Sequence, residues 1–132
     1  MPLYTCTTAQ GTLSEDAKKS IAAEITKIHS TVNHIPPGYV NVVFSELATT
    51  DVFVGGEPGR PFLVSGWARR GHPQADITKL ALEISAAVAR LVPIDESHVL
   101  VVIEDSPAQS AVEGGRVTPE PGDETRWLGG NS

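Results

Sequence analysis

Proline at position 2 is the residue with the most distinctive chemistry in this chain. Met1 precedes the small residue Pro2, and a methionine in that context is normally trimmed, which would leave Pro2 with a free secondary amine. Free α-amino groups titrate near pH ~8, and burial in an apolar pocket lowers that pKa because it disfavours the charged form. Such an amine could shuttle protons at neutral pH. The plainer alternative is that Pro2 merely follows the initiator.

Several charged and imidazole side chains could complete a site around this amine. Arg69 and Arg70 are adjacent like charges, and an acidic substrate would relieve their repulsion, although they could also be a solvated pair at a strand end. His29 could orient a ligand or be an ordinary boundary residue of a helix. Glu113 could act as a base or be an exposed loop acid. His72 favours turn chemistry over ligand binding.

The composition argues against other kinds of site. No pair of His, Cys or carboxylate residues has convincing metal spacing, so neither a metal nor an organic cofactor is expected. The formal net charge of −6 argues against a nucleic-acid surface. The single cysteine, Cys6, cannot form an intrachain disulfide and fits a reducing compartment. On a strand, Cys6 is expected to be buried rather than reactive.

Length and hydropathy indicate one soluble, cytoplasmic domain over residues 1–132. The chain has 132 residues, of which 40% are hydrophobic, enough for one core and short for two. Its first 20 residues lack the basic start and apolar stretch of a secretory signal. Its apolar runs fall short of the ~20 residues that span a bilayer.

Four strands and two helices are predicted to position these residues. The enrichment in β-forming residues predicts strands at residues 2–9, 39–44, 61–68 and 99–103. Ser14 is predicted to cap a first helix, whose apolar residues recur at steps of three and four as far as Val32. A second helix of the same pattern is predicted near residues 74–91. The order strand, helix, strand therefore occurs twice.

The two halves of the chain align without a gap when residue 2 is placed on residue 61, an offset of 59 residues. The matched pairs include Pro2 with Pro61, Glu24-Ile25 with Glu83-Ile84, Val42-Val43 with Val101-Val102, and Gly55-Gly56 with Gly114-Gly115. This register indicates a tandem βαβ duplication, with units of about residues 2–59 and 61–117. Each unit should hold two parallel strands with a right-handed crossover. The expected fold is an α/β four-stranded sheet with both helices on one face.

One face of such a sheet would remain uncovered. The strands are apolar on both sides, as in strands buried on both faces, so a symmetric oligomer is the simplest cover. The tail after Arg116 is rich in Pro and Gly and is expected to be irregular, lying over a neighbouring subunit or fraying.

The opening Pro2, the duplicated βαβ units and the Gly-Gly pair that ends each unit together resemble the tautomerase superfamily, over about residues 2–128. Within it the chain is similar to the branch of cis-3-chloroacrylic acid dehalogenase. The stretches that carry this similarity are His29, residues 66–71 (Gly-Trp-Ala-Arg-Arg-Gly), residues 106–116 and residues 119–122 (Pro-Glu-Pro-Gly). Fused members of this length are trimers, so the resemblance implies a homotrimer.

The resemblance implies a role for four individual residues. Pro2 matches the amino-terminal proline that serves the superfamily as its catalytic group. His29 matches a histidine that helps to hold the substrate. Arg69 matches the first of two arginines that clamp the substrate carboxylate, a task that suits the planar guanidinium. Glu113 matches a glutamate that activates water.

Two positions depart from the pattern of this branch. Its second arginine falls on His72, although Arg70 lies nearby and could substitute with different geometry. Its tyrosine beside the glutamate falls on Val102. Efficient dehalogenation is therefore not expected.

Three functions follow from these residues. The first is a cofactor-independent tautomerase in which neutral Pro2 moves a proton within a small 2-oxo or enol carboxylic acid, held by Arg69, with or without Arg70, and oriented by His29. The second is hydration or hydrolytic dehalogenation of a cis-unsaturated acid, with protonated Pro2 as the acid and Glu113 priming water; one enzyme could do both. The third is a non-catalytic trimeric binding protein, which follows if Met1 is retained.

Overall fold

The computed structural model describes residues 1–129. The strands and helices are β1 (Leu3–Ala9), α1 (Glu15–Asn33), β2 (Asn41–Leu47), β3 (Phe53–Val54), β4 (Glu57–Pro58), β5 (Phe62–Arg69), α2 (Gln74–Leu91), β6 (Val99–Ser106), β7 (Val112–Glu113), β8 (Arg116–Val117) and α3 (Glu124–Gly129). The predicted order of two βαβ units is confirmed.

The main sheet has the strand order β2-β1-β5-β6. Strands β1 and β2 are parallel, as are β5 and β6, whereas β1 and β5 are antiparallel. The two units therefore join through their first strands, and β1 is an interior strand. Consequently the start of the chain lies between two neighbouring strands rather than at an open edge.

Helix α1 begins and ends for local reasons. The Ser14 hydroxyl accepts a hydrogen bond from Ala17 N at 3.1 Å, which satisfies one of the unpaired amides of the first turn of α1. Helix α1 ends where His34 adopts a left-handed conformation with φ of 56°, a common helix terminator. Among residues 1–129, no helix is long and apolar enough to cross a membrane.

The core lies between the helices and one face of the sheet. It is formed mainly by Tyr4, Cys6, Ile21, Ile25, Phe62, Val64, Leu80, Ile84 and Val88. Cys6 is buried, as predicted, and burial raises the pKa of its thiol to about 12. The opposite face carries exposed apolar side chains, among them Leu3, Val43, Leu100 and Val102, as expected of a face that another molecule covers.

The ungapped alignment of the two halves misplaces the first strand of one unit against that of the other by one residue. Leu3 pairs with Asn41, and Leu63 pairs with Leu100, so the first strands correspond at an offset of 60 while the second strands keep 59. A one-residue slip would exchange the two faces of a strand. At the correct offset Tyr4 corresponds to Val64, and both are buried. The first unit has one extra residue between β1 and α1.

The second strand begins later than predicted, at Asn41, because Pro37–Tyr39 form a short 3-10 turn. The Gly-Gly pairs lie in hairpins, β3–β4 and β7–β8. Both pairs have φ values of 60° and 81°, which confirms that the glycines supply positive φ.

The expectation of an irregular tail is wrong for residues 124–129, whereas residues 118–123 form neither helix nor strand. Glu124–Gly129 form helix α3, and the Thr118 hydroxyl donates to Ala108 O at 2.6 Å. The Trp127 ring packs edge-on against Tyr39 at 5.7 Å between centroids. Regular structure begins again at Glu124, after the segment that is rich in proline and glycine. Helix α3 then packs against Tyr39 of the same chain.

Gly66 should be intolerant of any side chain. A Cβ atom there would lie 2.5 Å from the buried Tyr4 ring, so Gly66→Ala should lower the free energy of unfolding by about 1–3 kcal/mol through overpacking. Urea unfolding measures this. Gly38→Ala is the control, because a Cβ atom at position 38 would meet nothing within 4 Å. Equal stability of both variants would contradict this packing.

Candidate active site

The amino terminus is buried and held by partners from two other parts of the chain. Met1 is 5% exposed. Its amine lies 2.7 Å from Glu113 Oε1 in the β7–β8 hairpin and donates to Tyr39 O before β2. The carbonyl of Pro2 accepts from Asn41 N at 3.1 Å. The fold therefore fixes the start of β1 beside a carboxylate.

Opposing effects act on the protonation of this amine. Burial lowers its pKa below the usual value for an amino terminus. The hydrogen bond and charge of Glu113 act in the opposite direction, whereas the charge of Arg69 lowers the pKa further. Since burial is the largest effect, a larger fraction of the terminal amine is neutral near pH ~7, and so able to accept a proton, than for an exposed amino terminus.

Arg69 is buried at the end of β5 and already holds an anion of its own chain. Its side chain is 3% exposed, and Nη2 lies 2.7 Å from Glu124 Oε1 at the start of α3. Its Nη1 donates to Pro119 O. Burial alone would raise the pKa of Glu124, but hydrogen bonds from Arg69 and Gly122 N hold it below the usual value. The tail thus places a carboxylate on the predicted substrate-binding arginine.

The two candidates for a second cation lie in different places. Arg70 is exposed and forms an ion pair with Asp105 at 3.0 Å, because adjacent residues of an extended chain point to opposite sides. His72 is half-buried, and its pKa is lowered by burial and by the charge of Arg69, with Glu124 acting against this. The charge of Arg69 therefore acts on His72, whereas Arg70 is paired with Asp105.

His29 is also within electrostatic reach of this group but is fully bonded. Its Nδ1 lies 2.7 Å from Tyr4 Oη, and its Nε2 lies 3.2 Å from Asn33 Nδ2. Burial first, then the charges of His72, the terminal amine and Arg69, lowers its pKa to about 3. The expected contact with a substrate would require one of these two hydrogen bonds to open.

Val102, where the resembled branch has a tyrosine, is exposed on the open face of the sheet. It lies on β6 four residues before Ser106, the residue that pairs with Arg69. Across residues 1–129, the His, Cys, Asp and Glu side chains form no group of three that could hold a metal ion.

Sequence reasoning missed Glu124 and Tyr39. Tyr39 binds the terminal amine through its main-chain carbonyl. Because every residue has such a carbonyl, the residue type does not indicate this contact. Glu124 gave no specific signal: a buried arginine needs an anionic partner, but the structure and not the sequence shows that Arg69 is buried. The sequence does not indicate which of the acids of the tail would be that partner.

The whole chain matches a known family model, and solved structures share its fold. The model is described as putative oxalocrotonate tautomerase enzyme and matches residues 1–132. The structure of native Ps01740 is 36% identical with a TM-score of 0.82, covering 84% of this chain and 99% of that chain. N1, a member of the cis-3-chloroacrylic acid dehalogenase family, is 24% identical with a TM-score of 0.91, covering 96% of this chain and 90% of that chain.

A fused 4-OT symmetric trimer has 23% identity and a TM-score of 0.81, covering 88% of this chain and 94% of that chain. Among curated proteins, none matches the chain.

His29 should make stability depend on pH. The unfolded histidine takes up a proton near pH 6.5, whereas the folded one does so only near pH 3. Stability is therefore fully present above pH ~6.5 and falls below it, by at most about 1.4 kcal/mol per pH unit. Urea unfolding between about pH 7 and 5 should show a shallower slope for His29→Gln than for wild type. The exposed His98→Gln should keep the wild-type slope; parallel wild-type and His29→Gln curves would contradict this assignment.

Proposed function

This chain belongs to the oxalocrotonate tautomerase family, and on that premise we propose that it is a proline-based tautomerase of small 2-oxo or enol carboxylic acids. The observation that carries the proposal is the buried amino terminus, 2.7 Å from Glu113 and under the influence of the Arg69 charge. The predicted membership of the tautomerase superfamily is itself confirmed. The proposed activity depends on removal of Met1, since a retained methionine makes the Pro2 nitrogen an amide.

Removal of Met1 changes the site in two ways. It makes the Pro2 nitrogen a secondary amine in the same buried surroundings, where desolvation favours the neutral form. It also frees the volume of a buried methionine side chain beside that amine. A pocket of the size of a methionine side chain suits a small ligand, and the charge of Arg69 favours an anionic one.

The proposed reaction is a proton transfer without a covalent intermediate. Neutral Pro2 takes the proton of the enol hydroxyl, the electron pair forms the ketone, and the protonated amine returns a proton to the adjacent carbon. Arg69 holds the carboxylate and stabilises the enolate as its negative charge develops. His29 is proposed to hold Tyr4 and Asn33 in position and to reach the substrate only if one hydrogen bond opens.

Hydration or dehalogenation of a cis-unsaturated acid is the second candidate, favoured by the carboxylate of Glu113 beside the amine. In that reaction Glu113 would activate water and protonated Pro2 would supply the proton. The pKa of Pro2 separates the two, because a value near or below neutrality favours the tautomerase and a value well above favours the hydratase. Valine at position 102 makes the second reaction the weaker candidate.

We further propose a homotrimer. The exposed apolar face of the sheet needs a cover, and a solved relative of this fold is a symmetric trimer.

The mature protein should lack Met1 by intact mass and should ketonise phenylenolpyruvate. Pro2→Ala should lower kcat/KM at least about 100-fold, because a primary amine without the ring is a poorly placed base. Pro61→Ala is the matched control, since Pro61 is also a buried proline before a strand but has no free amine. Retained Met1, or equal activity of wild type and Pro2→Ala, would contradict the mechanism.

Leu100→Glu should convert the trimer into monomers, because it places a charge on the open sheet face, where Leu100 is 57% exposed in the single chain. Light scattering during size-exclusion chromatography gives the mass. Leu82→Glu, on α2 with 64% exposure, should remain trimeric. A monomeric wild type, or dissociation by both substitutions, would overturn the proposed interface.

A further inference from the structure

Both terminal nitrogens of the Arg69 guanidinium have a partner from the tail while the tail is seated. Its Nη2 is held by Glu124 Oε1 at 2.7 Å, and its Nη1 donates to Pro119 O. The side chain is 3% exposed. An incoming carboxylate therefore meets an arginine that is both covered and neutralised.

Glu124 can leave this position without release of the whole tail. Besides its contact with Arg69, its carboxylate accepts a hydrogen bond from Gly122 N, at 2.8 Å to Oε2. The other end of the tail is fastened separately, by Trp127 Nε1 donating to Val117 O at 2.8 Å and by Arg116 stacked over the Trp127 ring at 4.0 Å. Displacement of Glu124 thus breaks its contacts with Arg69 and Gly122 N, whereas the contacts of Trp127 are made to other residues.

We propose that Glu124 is a specificity-determining residue that occupies the anion position on Arg69, so that only a ligand carrying a carboxylate can replace it. This inference rests on the proposed function, because it takes Arg69 as the group that receives the substrate carboxylate. A neutral carbonyl compound cannot compete for a charged, buried hydrogen-bonding partner. Glu124 consequently excludes neutral ketones and lowers the affinity for acids.

The seating of the tail fits this role. Pro121 packs against Gly71, where a Cβ atom would lie 3.1 Å from the proline ring, so the turn after β5 is shaped to receive the tail. Glu120 in the same segment is exposed and has no such contact with Arg69 among the described residues. The position of Glu124, rather than the acidity of the tail, brings the carboxylate to the arginine.

The test is calorimetric binding of 3-phenylpropionate, an inert carboxylate, to the mature protein and to Glu124→Gln. Removal of the competing charge should tighten binding about tenfold, the equivalent of the lower range of one charge-assisted hydrogen bond. The neutral 3-phenylpropanamide should bind no tighter than the acid in wild type. Glu120→Gln, which removes one charge from the tail elsewhere, should bind as wild type does.

Two further measurements separate an effect on acid binding from an effect on folding or on turnover. Glu124→Asp keeps the charge and should bind the acid more weakly than Glu124→Gln; thermal unfolding verifies that each variant is folded. With phenylenolpyruvate, Glu124→Gln should lower KM by about as much as it tightens binding of the inert acid. Equal or weaker acid binding by Glu124→Gln, or no binding in either protein, overturns the inference. Tighter binding without any turnover would leave this inference standing and contradict only the tautomerase.

Discussion

The burial of the chain start beside Glu113, whose Oε1 lies 2.7 Å from the Met1 amine, is the constraint on which the proposed site depends. A buried amine is costly unless a carboxylate accompanies it. The sheet order makes β1 an interior strand, which buries the chain start, and the β7–β8 hairpin brings Glu113 to it. Fold and site are therefore linked, because the topology that buries the amine also supplies its partner and lowers its pKa.

The duplication produced two similar places, and only one of them carries a terminal amine. At the offset of the hairpins, Glu113 corresponds to Val54, and the pocket beside the start of β5 is lined by Phe53, Val54, Leu63 and Leu100 together with Arg60 and His98. The residue before β5 is linked to the preceding chain by a peptide bond, so this second place has no free amine. The tail adds to this asymmetry, since Glu124 follows the second unit and contacts Arg69 from beyond the repeat. The proposed chemistry therefore belongs to only one of the two similar places.

The sequence predicted the sheet, both long helices and the duplication, because these depend on periodicity and on paired glycines. It also singled out the chain start, Arg69 and Glu113. It failed where one residue changes the geometry. Strands β1 and β5 correspond at an offset of 60 residues, because the alternation of side chains along a strand must keep the same face buried, and an ungapped alignment does not take this into account. The pairing of Arg70 with Asp105 depends on which way the chain turns after β5. The pairing of Arg69 with Glu124 is a tertiary contact that propensity and spacing do not encode.

The pKa of the mature amino terminus tests the central claim most directly. The protein would be labelled with ¹⁵N-proline, its mass checked for loss of Met1, and the Pro2 nitrogen shift followed against pH. At the Met1 amine, burial opposes the charge of Glu113 and outweighs it. The Pro2 amine would lie in the same surroundings, so we expect its pKa to be below that of a free prolyl amine, and the tautomerase mechanism requires a value near or below neutrality. A pKa well above neutrality would show that Glu113 outweighs burial, contradicting the proton-shuttling base and favouring the hydratase.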